Sequence, residues 1–134
     1  MIVVDASAVS AFLLKEPGWK KLSTYLTNSV SIDHLVKEVS NAIWKAYIRK
    51  NISWDEALKL FKILESMIGI NIVLEPENKY IEKAFKIALD HNITVYDALY
   101  LALAIKKNLP LLTFDEKQSK TAQELGIKII RIQY

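Results

Sequence analysis

Short runs of β-branched and other apolar residues alternate along the chain with longer segments in which apolar residues recur every three or four positions. The first pattern is typical of buried strands and the second of amphipathic helices. Five strands are predicted, at residues 2–4, 30–32, 70–74, 111–114 and 127–132. Strands that alternate with helices favour an α/β fold with a mainly parallel sheet flanked by helices.

The longest interval between two predicted strands, residues 34–69, indicates two consecutive helices that meet at Asn51 and Ile52. Ser53 is followed by Glu56 three positions later, which is the spacing of a capping box at the start of the second helix. We therefore expect a helical hairpin inserted between the second and third strands.

The local sequence also marks the ends of other helices. Gly69 and Gly126 each follow a helical pattern and precede a strand, so we expect both in the left-handed conformation that ends a helix. Residues 95–107 are apolar nearly all round, which predicts a helix buried against the sheet. Thr94 is its expected cap, and Asp97, its only carboxylate, either completes that cap or serves a site.

Length and composition limit the class of protein. A chain of 134 residues has the size of one domain, predicted over residues 1–134. Its longest apolar stretch has eight residues, fewer than the roughly 20 of a membrane-spanning helix. No basic segment of the kind found in signal peptides precedes the first apolar residues, so we expect a cytoplasmic protein with no membrane association. The net charge of +3 is compatible with a polyanionic partner but does not by itself argue for one.

The residue types that are absent or rare exclude several chemistries. The chain has no cysteine, which excludes disulfides, zinc–thiolate sites, iron–sulfur clusters and cysteine nucleophiles. With only three glycines, neither a P-loop nor a dinucleotide-binding glycine loop is possible.

Acidic residues recur near the N-terminal ends of predicted helices, at the sheet edge where parallel strands place their ligand crevice. These residues are Asp5, Glu38, Asp97 and Asp115. Taken singly, the aspartates are also typical helix caps and the glutamate is typical of a solvated helix face. Taken together they are expected to cluster, and two bare carboxylates about 4 Å apart repel by roughly 4 kcal/mol at an effective dielectric near 20. Such a cluster requires a cation or protonation.

A divalent metal is the natural cation for these oxygens. Oxygen-only ligation favours a hard ion, Mg²⁺ or Mn²⁺. We expect His34 and His91 to lie at helix ends without a role in the site. Such a metal activates water and stabilises charge on a phosphate, so phosphodiester hydrolysis is the reaction indicated. The alternative from another class is a flavodoxin-like binding module whose acids only cap helices.

Four segments carry a pattern that spans nearly the whole chain: Val-Asp-Ala-Ser-Ala at 4–8, Glu-Val-Ser-Asn at 38–41, Val-Tyr-Asp-Ala-Leu-Tyr-Leu-Ala-Leu-Ala at 95–104 and Leu-Thr-Phe-Asp at 112–115. In order and spacing they resemble the motifs of the PIN-domain ribonucleases, and within these the VapC toxins of type II toxin–antitoxin systems. The resemblance implies a single PIN-like domain with Mg²⁺- or Mn²⁺-dependent endoribonuclease activity. It also implies that the four acids named above are the catalytic, metal-binding residues.

The same resemblance implies the partners. The substrate would be a structured RNA, tRNA or rRNA, and a small VapB-type antitoxin would block the active site. A homodimer is also expected. Two alternatives within the family are a housekeeping PIN nuclease that processes RNA without an antitoxin, and an inactive PIN scaffold or binding module.

Polar residues match positions beside the family's metal site: Ser7, Thr113 and Asn41. The resemblance implies that the two hydroxyls orient a metal-bound water or the scissile phosphate. Two departures are Gln118, where an apolar residue often follows the last motif, and Glu116, a second carboxylate beside Asp115. The spacing from the threonine favours Asp115 as the residue that faces the metal.

An RNA that approaches an acidic pocket should meet basic residues at its rim. The candidates are Lys15, Lys20, Lys45 and Arg49. The last two equally suit the C-terminal half of a helix. Trp19, Trp44 and Tyr47 are candidates for base stacking or for an antitoxin groove, but for Trp44 and Tyr47 the three-residue spacing favours the hairpin core.

Overall fold

The structure, a computed structural model, describes residues 1–132 and has an α/β fold. Its strands are β1 (Ile2–Val4), β2 (Ser29–Ile32), β3 (Ile72–Glu75) and β4 (Leu111–Leu112). They form one sheet in the order β3-β2-β1-β4, and every pair of neighbours is parallel. The α/β fold and the parallel sheet predicted from the sequence are confirmed. The last two residues of the predicted domain, 133 and 134, lie outside the described residues.

Seven α-helices lie within the described range and flank the sheet: α1 (Ala6–Leu13), α2 (Trp19–Leu26), α3 (Leu35–Ile48), α4 (Trp54–Met67), α5 (Ile81–His91), α6 (Val95–Lys107) and α7 (Glu116–Glu124). A short 3₁₀ turn, Glu77–Lys79, precedes α5. Across residues 1–132 we find no helix whose length and apolar character would let it cross a bilayer.

The helical hairpin forms as predicted, from α3 and α4. The capping box is present at the start of α4, where the Glu56 amide donates to Ser53 Oγ at 3.1 Å and the Ser53 amide donates to Glu56 Oε1 at 3.2 Å. Gly69 and Gly126 have φ angles of +86° and +78°, the left-handed conformation expected of both.

The predicted fifth strand is wrong. In residues 127–132 only Ile129 pairs, through one isolated parallel bridge to Leu111. The Leu111 amide donates to the Lys128 carbonyl, and the Ile130 amide donates to the Leu111 carbonyl. Because β4 is only two residues long, its outer edge supports one bridge and not a strand.

Three other strands differ from their predicted bounds. Strand β2 begins one residue earlier than predicted, at Ser29. The other two differ for local reasons. The segment expected at 70–74 begins at Ile72, because a turn at Gly69, in which the Gly69 amide donates to the Ile72 carbonyl, delays the strand. The segment expected at 111–114 ends at Leu112, because the amide of Phe114 donates to a side-chain oxygen and not to a neighbouring strand.

Helix α6 lies at the centre of the core. Residues 98–104 are all buried, and the helix contacts β1 and β2. This arrangement confirms the burial predicted from its apolar sequence. It also fixes the first turn of α6 beside the ends of the central strands.

Candidate active site

The pairing of β1 with β4 brings two site residues together. Val4 lies opposite Leu112 in the parallel register, so the residues that follow, Asp5 and Thr113, leave the sheet side by side. The Thr113 hydroxyl donates a hydrogen bond to Asp5 Oδ2. Asp5 Oδ1 also accepts from the Ala8 amide at 3.1 Å and so caps α1. Asp5 therefore caps α1, as its local sequence predicts, and also lies at the edge of the sheet where the candidate site is.

Ser7 is the second hydroxyl on Asp5. It donates to Asp5 Oδ1 at 2.6 Å and accepts from the Phe114 amide at 2.8 Å. Thr113 Oγ1, which gives its own proton to Asp5, accepts from the Asp115 amide at 3.1 Å. Each hydroxyl thus donates one proton to Asp5 and is held by a backbone amide of the segment after β4. This network fixes the orientation of the Asp5 carboxylate.

Burial dominates the electrostatics of Asp5. Loss of hydration raises the pKa of its carboxyl from 3.8 to about 6, and the charge of Asp115 adds to the shift. The hydrogen bonds from Ser7, Thr113 and Ala8 lower the pKa but do not compensate for burial. The negative form of Asp5 is therefore held at a free-energy cost inside the fold.

Asp97 lies in the first turn of α6, where its amide donates to Thr94 Oγ1 at 3.2 Å, as the predicted cap requires. Burial raises the pKa of its carboxyl, and the charge of Asp115 raises it further. The Thr94 hydroxyl and the Lys117 ammonium oppose that shift. Asp97 therefore caps a helix and also belongs to a group of interacting carboxylates.

Asp115 is the N-cap of α7. Its Oδ1 accepts from the amides of Lys117 and Gln118, at 2.9 and 3.1 Å. Since its charge raises the pKa of both Asp5 and Asp97, the three aspartates lie within electrostatic reach of one another.

Glu38 joins this group through Tyr100. The Tyr100 hydroxyl donates to Glu38 Oε1 at 2.6 Å. Burial, the hydrogen bond to Glu38 and the charges of Glu38, Asp5 and Asp97 raise the pKa of Tyr100 far above its ordinary value. Tyr100 thus lies among three of the four acids and stays a donor. The sequence analysis missed Tyr100, whose only signal is its position three residues after Asp97 in an apolar helix.

The donor set fits a hard divalent cation in its chemistry. It consists of carboxylate oxygens whose like charges repel one another, and a bound cation reduces that repulsion. As they stand, no three His, Asp or Glu side chains in the described part of the chain form a group that could hold a metal ion. The tight cluster expected from the sequence is therefore not formed as such. Carboxylates of like charge repel one another, and the charge of Asp115 raises the pKa of both Asp5 and Asp97.

Residues 2–124 match the family model described as the PIN domain. The chain belongs to the PIN-domain family. The PIN domain is 32% identical over 119 residues to ribonuclease VapC3 of Pyrobaculum aerophilum, covering 87% of this chain and 90% of that one. It is 36% identical over 118 residues to ribonuclease VapC1 of Mycobacterium tuberculosis, covering 86% of each. The resemblance to VapC proteins inferred from the motifs is confirmed.

Solved structures show the same fold. The PIN domain superposes on the crystal structure of PAE2754 from Pyrobaculum aerophilum with a TM-score of 0.70 and 23% identity, covering 96% of this chain and 87% of that one. It superposes on VapC20 of Mycobacterium tuberculosis, described as a sarcin–ricin loop cleaving toxin, with a TM-score of 0.65 and 15% identity, covering 90% and 94% of the two chains.

The other residues proposed for the site lie further out in this PIN domain. Asn41 is exposed one turn beyond Glu38 on α3, and within residues 1–132 no hydrogen bond joins its side chain to the carboxylates. Lys45 and Arg49 are exposed near the C-terminal end of the same helix. The basic residue placed close to Asp97 is Lys117, which the sequence analysis did not single out.

The aromatic candidates correct one expectation. Lys15 and Lys20 place their Nζ atoms 5.5 and 5.9 Å from the ring centroid of Trp19, so both cations lie beside one indole.

Trp44 and Tyr47 are 54% and 38% exposed, and their predicted burial in the hairpin core is wrong. The buried stripe of α3 runs through Leu35, Val39, Ile43 and Ala46. The two aromatic residues each follow a buried residue by one position, which rotates them about 100° towards solvent.

Gln118 connects two of the helices that carry site residues. Its side chain is buried, and Nε2 donates to the carbonyl oxygen of Asp97 at 2.9 Å. Its Oε1 atom is buried without a hydrogen-bond partner among the described residues. The departure from an apolar residue at this position therefore ties α7 to the first turn of α6.

Proposed function

We propose that this PIN domain is a Mg²⁺- or Mn²⁺-dependent endoribonuclease, the toxin of a VapBC pair that acts in the cytoplasm on tRNA or rRNA. The observation that carries the proposal is Asp5, a buried carboxylate held by two hydroxyls and coupled in charge to Asp115. Stability alone does not favour two neighbouring carboxylates of like charge, one of them buried. The relatives named ribonuclease support RNA as the substrate class.

The four acids Asp5, Glu38, Asp97 and Asp115 would hold the metal. Such an ion, when bound, activates a water molecule and stabilises charge on the phosphate and leaving oxygen. Ser7 and Thr113 hold the Asp5 carboxylate in one orientation, and Tyr100 does the same for Glu38. Because Asp5 has a pKa of about 6, its carboxyl group is deprotonated in most molecules above neutral pH and can then bind a cation.

Two protein partners belong to the proposal. A VapB-type antitoxin would cover the acidic pocket, and the neighbour VapC20, described as a toxin, supports such a partner. A homodimer would cover the apolar stripe of α5, where Ile81, Phe85 and Leu89 are exposed at four-residue intervals. We expect Phe85→Glu to shift the sedimentation coefficient from dimer to monomer. A wild-type protein that sediments as a monomer at all concentrations would contradict the dimer.

The test is cleavage of total RNA by the purified protein with Mn²⁺, with Mg²⁺ and with EDTA. Asp97→Asn is the inactivating variant, and Asp90→Asn, at an exposed position on α5, is its matched control. We expect discrete cuts that need metal, persist in the control and disappear in Asp97→Asn. A folded protein that cuts no RNA with either metal would overturn nuclease activity and favour a scaffold. Cleavage that survives in Asp97→Asn would overturn the site.

The toxin role is separate from the activity. Expression in a host cell should arrest growth, and co-expression of the gene beside it should restore growth. Cleavage without growth arrest, and without an inhibitory neighbour, would favour a housekeeping nuclease.

A further inference from the structure

Tyr96 and His34 form a stacked pair at the rim of the acidic site. Their ring centroids are 4.8 Å apart and their planes meet at 13°. Tyr96 is nevertheless 58% exposed. Because His34 covers one face of the tyrosine ring, this exposure belongs to the opposite face and the edge.

Each residue of the pair neighbours one of the site carboxylates. Tyr96 directly precedes Asp97 in the first turn of α6. His34 precedes α3, and its Nε2 atom lies 3.6 Å from Glu38 Oε1. The stacked pair is therefore joined by α6 to Asp97 and by the His34 side chain to Glu38, two residues proposed to hold the metal.

Apart from its contact with His34, packing against the core does not account for the position of Tyr96. The core side of α6 is made by residues 98–104, which are buried, whereas Tyr96 points to solvent. Its hydroxyl makes no hydrogen bond within residues 1–132. An aromatic ring that is stacked on one side and open on the other has the form of the platforms on which single-stranded nucleic acids stack their bases.

We propose that Tyr96, supported from below by His34, stacks on one unpaired base of the RNA beside the scissile phosphate. The proposal rests on the proposed function, because it takes RNA as the substrate. A base inside a duplex has both faces covered by its neighbours, so this platform selects a base that is splayed out in a loop. Stacking on a bare ring tolerates every base and favours the larger purines, which leaves sequence selection to other contacts.

The test measures binding and not cleavage. Fluorescence anisotropy follows a labelled seven-nucleotide oligo(A) and a backbone of equal length made of abasic units, in EDTA and again in Ca²⁺. The variants are Tyr96→Leu, Tyr96→Phe and the control Trp54→Leu, which removes a ring that is 61% exposed on the helical hairpin. Thermal unfolding verifies that each variant is folded.

We expect Tyr96→Leu to weaken oligo(A) binding by about 5- to 150-fold, the range for loss of one stacked base. Tyr96→Phe and Trp54→Leu should bind as the wild type does. The abasic backbone should bind equally to all four proteins. Oligo(A) binding that does not exceed that of the abasic backbone, or that survives in Tyr96→Leu, would overturn the platform.

Two further readouts distinguish a base platform from a protein interface and separate its failure from that of the nuclease. If Tyr96→Leu changes the sedimentation coefficient but not oligo(A) binding, the ring belongs to a protein interface and the inference is wrong. Cleavage of total RNA is measured on the same samples. Metal-dependent cleavage without Tyr96-dependent binding overturns the platform alone, whereas Tyr96-dependent binding without any cleavage overturns the nuclease and leaves the platform standing.

Discussion

The hydroxyl of Tyr100 on α6 donates a hydrogen bond of 2.6 Å to Glu38 Oε1 on α3, across 62 positions of sequence. Tyr100 is buried among the apolar residues of the core, and only its polar tip reaches the acidic site. The bond holds a partly exposed carboxylate against the most buried helix of the fold. This hydrogen bond links the core directly to the candidate site.

Removal of this link should weaken both the fold and the binding of metal. Tyr100→Phe should lower the free energy of unfolding by about 1–2 kcal/mol, because a hydrogen bond to a charged group is lost. It should weaken Mn²⁺ binding about tenfold, the usual effect of losing a group that orients a metal ligand. Denaturant unfolding and calorimetric titration with Mn²⁺ measure the two quantities.

Tyr80→Phe is the matched control. Tyr80 is also buried, and its hydroxyl donates to Glu75 Oε1 at 2.9 Å, a pair that lies outside the proposed site. We expect a similar loss of stability and unchanged Mn²⁺ affinity. Equal Mn²⁺ affinities in the two variants would show that Tyr100 has a structural role only.

Asp5→Asn should stabilise the metal-free protein at high pH. Folding raises the pKa of Asp5 to about 6, so the folded state binds more protons than the unfolded state between about pH 4 and pH 6. The free energy of unfolding therefore falls as the pH rises through this window, by about 3 kcal/mol if the whole shift is expressed. Asparagine retains the cap of α1 and avoids the buried charge.

Urea unfolding in EDTA at pH 4 and pH 8 measures this difference. We expect Asp5→Asn to match the wild type at pH 4 and to exceed it by about 1–3 kcal/mol at pH 8. An advantage that is the same at both values, or a variant that is weaker at pH 8, would show that the buried charge is not the cause.

Gln118 offers a test of the unpaired buried oxygen. Gln118→Met keeps the volume, removes the orphan Oε1 atom and gives up one hydrogen bond to a carbonyl that also lies within a helix. The cost of the orphan oxygen is about 1–3 kcal/mol and the bond contributes about 1 kcal/mol, so we expect a net gain of about 1 kcal/mol. Gln118→Glu should instead lose about 3 kcal/mol at pH 8, because it buries a charge beside Asp97.

Thermal unfolding of both variants at pH 8 measures these effects. A loss of stability in Gln118→Met would mean that the bond to Asp97, and not the orphan oxygen, governs this position.

Metal removal should have a small effect on stability. Mn²⁺ at ten times its dissociation constant should add about 1.4 kcal/mol to the free energy of unfolding. This corresponds to a rise in Tm of about 5 °C for a chain of this size. The rise should vanish in Asp97→Asn. Differential scanning calorimetry with Mn²⁺ and with EDTA measures it, and global unfolding on chelation would contradict a site that is catalytic and not structural.

Features encoded by neighbouring residues were predictable from the sequence. The bounds of α6, the helical hairpin and the capping box at Ser53 depend on residues within one or two turns. Asp5 was a candidate because it directly follows the predicted first strand.

Features that depend on distant contacts were not predictable. Tyr100 is indistinguishable in sequence from the apolar residues around it, because its partner Glu38 lies on another helix. The sequence places Trp44 equally well on the buried face or on the exposed face of α3, and only the packing of the helix shows that it is exposed. The run at 127–132 has the composition of a strand, but the two-residue β4 offers it too short an edge.

The register of β1 with β4 also bears on how the protein is made. Asp5 is translated more than 100 positions before Thr113 and Asp115. At elongation rates of about 5–20 residues per second, several seconds separate these residues on the ribosome. Until β4 leaves the exit tunnel and pairs, the acidic group is incomplete. Synthesis therefore delays the assembly of the acidic group, and a chain that stops before β4 should contain Asp5 without its neighbours Thr113 and Asp115.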